Sequence, residues 1–257
     1  MKIGCLLSVR EKATRLPNKV MLKISGIPIA ECLLKRLTLA KKIDQIILST
    51  SVDTRDKVLV DLANRLGFSS FCGSEEDKLA RYYETAKAYN LNGVIIVDGD
   101  DLLCFPEMID AAAEELSKGN VDCVYLSGLP LGAASIGVTF EALEKVLKIK
   151  AENDTEVWGG YFIGSGKFKT KEITVSDPLL NHPEIRLTLD YIEDYQLLQG
   201  IFNEMGGRID FSSYELMNLL VNKRPELVDI NKSAQERYEK HLTKAAPVRF
   251  IKEEECA

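Results

Sequence analysis

Two hydrophobic patterns alternate along the first 126 residues of the chain. Short apolar runs bounded mostly by Gly, Asp or Ser occur at Lys2–Ser8, Ile43–Ser51, Phe68–Cys72, Gly93–Val97 and Val121–Leu126. Between them, apolar residues recur at helical spacing in Ile29–Ala40, Arg55–Leu66, Asp77–Tyr89 and Pro106–Ser117. Such runs are typical of strands buried on both faces. The alternation predicts βαβ units and a mainly parallel sheet, in which ligands bind at the carboxyl ends of the strands.

The second half of the chain is less regular. Strands are predicted at Ala133–Val138, Gly159–Ile163, Ile173–Val175 and Ile185–Leu189. Helices are predicted at Phe140–Ile149, Ile192–Met205 and Ser213–Val221. A polar helix is predicted from Asn231 onward, ending in the acidic run Glu253–Glu255. Because no linker, low-complexity tract or repeat separates the halves, we expect one domain over residues 1–257, with residues 130–185 as an insertion or arm within it.

Composition places the chain among globular proteins. Hydrophobic residues make up 46% and charged residues 28%, which excludes disorder of the whole chain. Lys and Arg number 33 against 39 Asp and Glu, so no basic excess favours nucleic-acid binding. No apolar run approaches the roughly 18–20 residues that span a bilayer, and the start lacks a signal-peptide pattern. We expect a cytoplasmic protein with neither a nucleic-acid nor a membrane partner.

The six cysteines and two histidines limit the kinds of metal site and catalytic mechanism that the chain can have. No cysteine pair has C-x-x-C spacing, and five of the six lie in apolar segments, so we expect reduced, buried residues. With only His182 and His241 present, a histidine-rich metal site is excluded and Ser-His-Asp or Cys-His catalysis is disfavoured.

Four cations follow the first predicted strand within ten residues, at Arg10, Lys12, Arg15 and Lys19. In an acidic chain they create a local positive field at the edge where open α/β sheets bind ligands. Arginine contacts phosphate through two N–H groups, and lysine contacts it as a point charge. Neither a P-loop nor a G-x-G-x-x-G fingerprint is present. The local pattern leaves two interpretations, an anion-binding loop and a solvated basic loop.

Two acidic segments also follow predicted strands. Residues 98–101 read Asp-Gly-Asp-Asp, which suits either a hard cation such as Mg²⁺ or a turn that caps the next helix. Asp190 ends a later extended run, whereas Glu193 and Asp194 are expected to stabilise the helix that begins there. The two segments can share a cation only if the fold brings them together.

The basic loop resembles the signature loop of the sugar-acid cytidylyltransferases, which include the CMP-KDO synthetases, the acylneuraminate cytidylyltransferases and the spore-coat polysaccharide biosynthesis protein F group. The family loop reads R-x-G-S-x-R-L-P-G-K, and it is matched here by Arg10, Arg15, Leu16, Pro17 and Lys19. Where the family has Gly, Ser and Gly, this chain has Lys12, Ala13 and Asn18. The resemblance implies that nucleotide is bound by Arg10, Lys12, Ala13, Arg15 and Lys19.

Three further segments are similar to family motifs. Gly99-Asp100 resembles the G-D-x-P-L turn and Leu189-Asp190 resembles the L-T-V-D strand end, which implies that Asp100 and Asp190 bind one Mg²⁺ together. Residues 73–83, G-S-E-E-D-K-L-A-R-Y-Y, are similar to a segment of the spore-coat group. That likeness suggests that Arg81 reaches nucleotide, the alternative being an exposed helix arginine.

The resemblance implies a Rossmann-like GT-A nucleotidyltransferase fold, a three-layer α/β/α arrangement with a mainly parallel mixed sheet. It also implies a homodimer, with residues 130–185 as the acceptor-binding and dimerisation arm. It also implies transfer of CMP from CTP to a sugar acid or a related small acidic or phosphorylated acceptor, with release of diphosphate, in surface-polysaccharide precursor synthesis. Such chemistry relies on positioning and charge neutralisation. Arg10, Arg15 and Lys19 would be the catalytic residues that neutralise the triphosphate and the departing diphosphate. As a loop lysine, Lys19 is expected to contribute little to stability.

By the same analogy, the acceptor pocket is formed by residues 130–186. Trp158 and Arg186 are the predicted acceptor-binding residues, with Lys167, Lys169 and Lys171 also available to an acidic sugar. Because tryptophan buries a large area, the alternative interpretation of Trp158 as a core or dimer-interface residue is favoured.

Three other functions remain open. A metal-dependent GT-A glycosyltransferase normally carries a D-x-D motif, which Asp98-Gly99-Asp100 fits. A nucleotidyltransferase for another NTP is consistent with the altered loop at Lys12 and Ala13. A non-catalytic nucleotide-binding homologue is disfavoured by the presence of both Asp100 and Asp190.

Overall fold

Seven strands form one sheet in the computed structural model, which describes residues 1–12, 15–242 and 248–251. The strands of this sheet are β1 (Ile3–Ser8), β4 (Gln45–Ser51), β5 (Ser69–Gly73), β6 (Gly93–Asp98), β7 (Cys123–Ser127), β8 (Ile136–Thr139) and β9 (Thr170–Thr174). Their order is β5-β4-β1-β6-β8-β7-β9, and within it only β8 runs antiparallel to its neighbours. Strands β2 (Lys23–Ile24) and β3 (Ile27–Pro28) form a separate hairpin. The predicted mainly parallel mixed sheet is confirmed.

Helices cover both faces of this sheet. They are α1 (Ile29–Leu37), α2 (Lys57–Leu66), α3 (Lys78–Ala88), α4 (Pro106–Ser117), α5 (Phe140–Ile149), α6 (Ile192–Glu204), α7 (Ser213–Asn218) and α8 (Lys232–Leu242). The predicted bounds of α4 and α5 are confirmed, and Pro106 occupies the first turn of α4 as expected. The three layers follow from the strand-helix alternation.

The core consists of two clusters, one on each face of the sheet. In β1, the side chains of Cys5 and Leu7 belong to the cluster beneath α1, α2, α4 and α6, while Leu6 belongs to the cluster beneath α3 and α5. In β6, Ile95 and Ile96 divide between the two clusters in the same way. Strands buried on both faces therefore explain the continuous apolar runs of the sequence.

Four predicted elements differ from the structure. The polar helix predicted from Asn231 onward ends at Leu242 in the described residues, and Phe250 forms an isolated antiparallel β-bridge with Lys150 instead.

The other three differences lie earlier in the chain. Gly159–Ile163 was predicted as a strand, but Trp158–Tyr161 is a 3₁₀ helix in which Gly159 O accepts from Phe162 N and Ile163 N at 3.1 and 3.0 Å. Two consecutive glycines disfavour a strand here. Ile185–Leu189 is extended but pairs with loops instead of a strand, because Leu187 N donates to Leu131 O at 2.7 Å. The helix predicted over 213–221 continues beyond α7 as a π-helix at Leu219–Lys223.

Cysteine burial also departs from the prediction at one position. Cys5, Cys32, Cys104 and Cys123 are buried and free, as expected, but Cys72 is exposed. Cys72 lies in β5, at the edge of the sheet, where a strand lacks a neighbour on one side. Cys256 and the acidic run 253–255 lie outside the described residues.

Residues 130–185, predicted as an arm, contribute β8 and β9 to the main sheet and α5 to the layer that contains α3. Their role in a homodimer stays a prediction. Within the part of the chain that the structure describes, no helix has the length and apolar character that would span a membrane.

Candidate active site

The candidate site lies where β1, β4 and β6 end, at the carboxyl edge of the parallel part of the sheet. The loop after β1 and the turn after β6 are in direct contact, since Gly99 N donates to Ser8 O at 2.7 Å. A Cβ atom at Gly99 would lie 2.6 Å from Val9 Cγ2. Glycine is therefore required at this position for the acidic turn to approach the basic loop.

Lys19 joins the two acidic segments. Its Nζ donates to Asp100 Oδ2 at 3.0 Å, to Asp190 Oδ1 at 3.1 Å and to the carbonyl oxygen of Leu189 at 2.8 Å. Because one nitrogen contacts both carboxylates, Asp100 and Asp190 lie together, as the sequence predicted. Burial alone would lower the pKa of Lys19, but the charges of Asp100 and Asp190 raise it above its ordinary value. The lysine is thus held as an ammonium ion between two carboxylates.

Asp190 is held by three cations. Arg15 Nη2 donates to Asp190 Oδ1 at 2.6 Å and Arg186 Nη2 donates to Asp190 Oδ2 at 3.0 Å, in addition to the bond from Lys19. The Asp190 side chain is only 2% exposed. The backbone adds a link, because Leu189 N donates to Asp100 O at 2.9 Å. The position of Asp190 is therefore fixed from both sides of its carboxylate.

Arg186 lies beneath the site. Its side chain is 3% exposed, and its Nε and Nη2 donate to the two carboxylate oxygens of Asp194 at 2.9 and 3.0 Å. Tyr238 of α8 covers the guanidinium, with its ring centroid 4.8 Å from Arg186 Cζ. Asn231 Nδ2 also donates to the carbonyl oxygen of Arg186 and to Asp194 Oδ1. These contacts make Arg186 a support for Asp190 rather than a group on a cavity wall. Asp194 also accepts from the backbone N–H groups at the start of α6, as expected for a residue that stabilises that helix.

The other cations of the basic loop, Arg10 and Lys12, form hydrogen bonds with Glu75 and Glu156 instead of Asp100 and Asp190. Arg10 donates to the carbonyl oxygen of Glu75 and to the carboxylate of Glu156, at 2.5 and 2.7 Å. Lys12 Nζ donates to Glu75 Oε1 at 2.8 Å. Ala13 lies outside the described residues. The nucleotide-binding roles of these three residues stay predictions.

Arg81 is not the exposed helix arginine that was considered as an alternative. It is fully buried, with Nη1 donating to Ser74 O at 3.0 Å and Nη2 to Ser8 Oγ at 3.1 Å. Burial lowers its pKa. Arg81 therefore ties α3 to the end of β1 while lining the site.

The cluster of charged residues around Lys78 was not predicted from the sequence. This buried lysine opens α3 and contacts Asp98 Oδ1 at 3.5 Å and Glu156 Oε1 at 3.3 Å. Burial alone would lower its pKa, but the carboxylates of Asp98 and Glu156 raise it above the ordinary value. In the sequence, the only indication of this cluster is that Lys78 lies inside the motif-like segment 73–83. The acidic partners of Lys78 are too distant along the chain to be identified without the fold.

The three carboxylates of the acidic turn have different environments. Burial raises the pKa of Asp98, although Lys78 lowers it. Burial would also raise the pKa of Asp100, but the ammonium of Lys19 brings it below its usual value. Asp101 has a pKa raised well above the ordinary value, first by burial and then by the charges of Asp100 and Asp98. The following helix α4 has Phe105 at its N-cap position and no side-chain cap hydrogen bond, so these carboxylates do not cap it.

The raised pKa of Asp101 predicts a pH-dependent effect of Asp101→Asn. An acid with a raised folded-state pKa holds its proton more tightly in the folded protein, so its contribution to stability is complete at low pH. That contribution is lost as pH rises from the unfolded value of about 3.9 towards the folded value, by up to about 1.4 kcal/mol per pH unit. Asparagine cannot ionise, so the free energy of unfolding of the variant should increase relative to wild type above pH 4.

Urea denaturation of both proteins between pH 4 and 8 measures this difference. Asp61→Asn, on the exposed surface of α2, is the matched control. A difference between Asp101→Asn and wild type that stays constant over this range would contradict the prediction.

Two adjoining cavities open at the site. The first has a volume of about 380 Å³ and is lined by the basic loop, Lys78 and Arg81. The second has a volume of about 570 Å³ and is lined by Trp158, Tyr161 and Tyr238. Asp98, Asp100 and Asp190 are common to both. The carboxylates therefore stand at the boundary between two spaces that can each hold a small molecule.

Trp158 is a core residue that also lines a cavity, and its role in acceptor binding stays a prediction. Its side chain is packed in the core, with its ring 5.4 Å from that of Tyr82 in an edge-to-face arrangement, and it is only 5% exposed. It also lines the second cavity, to which residues 131–161 of the predicted acceptor region contribute.

The pair Asp100 and Asp190 fits a divalent cation of the Mg²⁺ type. Magnesium in phosphate-transfer sites is usually held by one or two carboxylates together with substrate phosphates and water. The described residues contain no group of three or more His, Cys, Asp or Glu side chains placed to hold a metal without a substrate. The ammonium of Lys19 now occupies the space between the two carboxylates, which indicates a position suited to positive charge.

Comparison with known proteins defines the class of this chain. The family model described as cytidylyltransferase matches residues 5–168. The fold and the match make the protein a nucleotidyltransferase of the Rossmann-like type. The chain belongs to the cytidylyltransferase family. The predicted fold class and enzyme class are thereby confirmed.

Three similar proteins are alike over nearly their whole length. An uncharacterized protein of Methanocaldococcus jannaschii is 33% identical over 240 residues, which cover 92% of this chain and 97% of that protein. The spore coat polysaccharide biosynthesis protein SpsF of Bacillus subtilis is 27% identical over 227 residues, covering 86% and 94%. A solved cytidylyltransferase structure from Leptospira borgpetersenii superposes with a TM-score of 0.80 at 26% identity, covering 89% of this chain and 97% of that one.

Proposed function

We propose that this protein transfers the CMP group of CTP to a hydroxyl of a small sugar-derived acceptor and releases diphosphate. The sugar acid implied by the sequence resemblance belongs to this class of acceptor. The observation that carries the proposal is the bridge from Lys19 to Asp100 and Asp190 at the boundary of two cavities. In-line attack on an α-phosphate places the attacking hydroxyl opposite the departing diphosphate. Two cavities that meet at Asp100 and Asp190 would hold the nucleotide and the acceptor in that arrangement.

In this proposal the first cavity holds the triphosphate. Arg15 has a second guanidinium nitrogen, Nη1, that is buried without a hydrogen-bond partner among the described residues. An unsatisfied buried donor beside a cavity is suited to a phosphate oxygen, which would complete its hydrogen bonding. Lys19 and Arg10 line the same cavity and would add positive charge as the diphosphate departs.

Asp100 and Asp190 would hold a divalent cation. When bound, such a cation neutralises phosphate charge and orients the reacting phosphate. The chain would hold the pair in place, since Arg186 fixes the carboxylate of Asp190 and the bond from Leu189 N to Asp100 O joins the two main-chain segments. A role in surface-polysaccharide synthesis is supported by the similarity to SpsF.

The test is a thermal shift with each of the four nucleoside triphosphates in the presence of Mg²⁺. A ligand at 100 times its Kd stabilises the native state by about 2.7 kcal/mol, so CTP should raise the melting temperature more than ATP, GTP or UTP. Removing Mg²⁺ with EDTA should reduce the shift with CTP.

An equal or larger shift with another triphosphate would contradict the cytidine assignment and favour a different nucleotidyltransferase. A larger shift with a nucleotide sugar than with any triphosphate would instead favour the glycosyltransferase interpretation.

A further inference from the structure

One carboxylate of the site contacts two cations that belong to different elements. Glu156 Oε2 accepts from Arg10 Nη2 at 2.7 Å, and Glu156 Oε1 lies 3.3 Å from Lys78 Nζ. Arg10 follows β1, whereas Lys78 is the first residue of α3. All three residues line the first cavity, which the proposed function assigns to the triphosphate. The two oxygens of Glu156 therefore occupy a position at which an anion is bound from two sides.

Both cations are held in place by contacts that do not involve Glu156. Arg10 Nη1 donates to the carbonyl oxygen of Glu75 at 2.5 Å, which leaves Nη2 to the carboxylate. Lys78 lies in the first turn of α3, and the side chain of Asp77 caps that helix. If the carboxylate of Glu156 left this position, both cations would remain beside it.

The side chain of Glu156 is the part of this arrangement that can leave. It is 58% exposed, whereas the side chains of Arg10 and Lys78 are 19% and 11% exposed. The main chain beside it is anchored by Thr155, whose hydroxyl donates to Asp77 Oδ1 at 3.1 Å. Rotation of the Glu156 side chain into solvent would therefore free both cations while the backbone stays where it is.

A phosphate group is suited to the same two partners. Guanidinium and ammonium groups bind phosphate as they bind carboxylate, and a triphosphate carries more negative charge than one carboxylate. Because both cations are largely shielded from water, their attraction to an anion is stronger than at an open surface. Lys78 would still lie 3.5 Å from Asp98 Oδ1, but one carboxylate does not use all the donors of an ammonium group.

We propose that Glu156 occupies, in the free protein, a phosphate subsite formed by Arg10 and Lys78, and that the triphosphate displaces it on binding. Glu156 is then an internal competitor of the nucleotide, and Lys78 is a phosphate ligand in addition to the cations of the basic loop. This inference rests on the proposed function, because it assigns the first cavity to the triphosphate.

The proposal predicts that removal of a charged residue of the site increases its affinity. Glu156→Gln keeps the size of the side chain but weakens its attraction to both cations, so the subsite is free in a larger fraction of molecules. Exposed ion pairs change an equilibrium by up to about fivefold, so the variant should bind CTP about fivefold more tightly than wild type. A carboxylate that contacted the substrate or positioned a ligand would give the opposite sign.

Isothermal titration calorimetry of the full chain at constant Mg²⁺ measures this change. CTP and inorganic triphosphate should bind more tightly to Glu156→Gln, while cytidine, which has no phosphate, should not. Glu76→Gln is the matched control, because Glu76 is exposed and lines the same cavity but forms no ion pair with Arg10 or Lys78 among the described residues. Unchanged or weaker CTP binding by Glu156→Gln, or an equal gain in Glu76→Gln, would overturn the proposal.

A second variant tests the role of the lysine. Lys78→Met should weaken CTP binding by about tenfold, since a charge-assisted contact to phosphate is lost. Adding Glu156→Gln to this variant should give a smaller gain than in wild type, because only Arg10 remains to be freed. An equal gain in both backgrounds would overturn the assignment of Lys78. The sign of the Glu156→Gln effect decides the proposal even where Lys78→Met does not fold.

The same titrations separate the two levels of inference. Normal CTP binding by wild type, with no gain in Glu156→Gln, overturns the phosphate subsite alone. A gain for inorganic triphosphate in a protein that does not prefer CTP to inorganic triphosphate supports the subsite and overturns the proposed function.

Discussion

Replacing Lys19 with alanine should slow nucleotidyl transfer by about 100-fold and destabilise the free protein by about 3 kcal/mol. The rate falls because a preorganised charge is lost where diphosphate leaves. The stability falls because Asp100 and Asp190 would face each other without the ammonium that joins them. The structure corrects the premise of the small stability change expected from the sequence, because Lys19 is a 14% exposed bridge between carboxylates and not a solvated loop lysine.

Urea denaturation and diphosphate release measure the two effects of Lys19→Ala. Lys23→Ala, an exposed lysine four positions along, should change stability by less than about 0.5 kcal/mol and serves as the control. Because the variant leaves two carboxylates without their shared cation, Mg²⁺ alone should raise its melting temperature more than that of wild type. Equal responses to Mg²⁺ would contradict the assignment of Asp100 and Asp190 to one metal site.

Arg186→Met should destabilise the protein by about 3–5 kcal/mol, because removal of one member of a buried ion-pair network leaves the others unpaired. Asp190 and Asp194 would both lose their bonds to the guanidinium. Asp190 would also lose the contact that fixes one side of its carboxylate, so turnover should fall in any protein that remains folded.

Arg237→Met is the matched control for this variant. Arg237 pairs with Glu193 at 2.6 Å but is 45% exposed, and an exposed ion pair contributes about 0–1 kcal/mol. Arg186→Lys should recover only part of the lost stability, since an ammonium cannot reproduce the forked contacts to two carboxylates. A stable Arg186→Met protein in which only the KM for the acceptor rises would support the original acceptor-binding prediction instead.

Most elements in the first half of the fold could be predicted from the sequence, because the residue patterns that define them are local. The apolar runs that became β1, β4, β5, β6 and β7 are each bounded by polar or turn residues. Pro106 and the helical spacing after it fixed the bounds of α4. The strand predicted at Gly159–Ile163 was wrong, because a short apolar run that contains two glycines is also compatible with a tight helical turn.

The candidate site was predictable only in part. Asp100 and Asp190 could be matched to motifs and were found together, but the lysine between them could not be paired by spacing alone. Arg186 was assigned to the acceptor because its chemistry suits a carboxylate, and the carboxylates it binds turned out to be those of its own chain. Burial and partner choice arise from tertiary packing, which one sequence does not display.

The sequence separation of Lys19 and Asp190 has a consequence for the timing of synthesis. The two residues that meet in the site are 171 positions apart. At about 5–20 residues per second, translation separates their emergence by roughly 10–30 s. During most of that interval the nascent chain contains Lys19 but lacks Arg186, Asp190 and α8, so the site is incomplete. We therefore expect a fragment released by a ribosome that stalls before residue 190 to lack cytidylyl-transfer activity. The activity of each molecule would then appear abruptly and late in its synthesis.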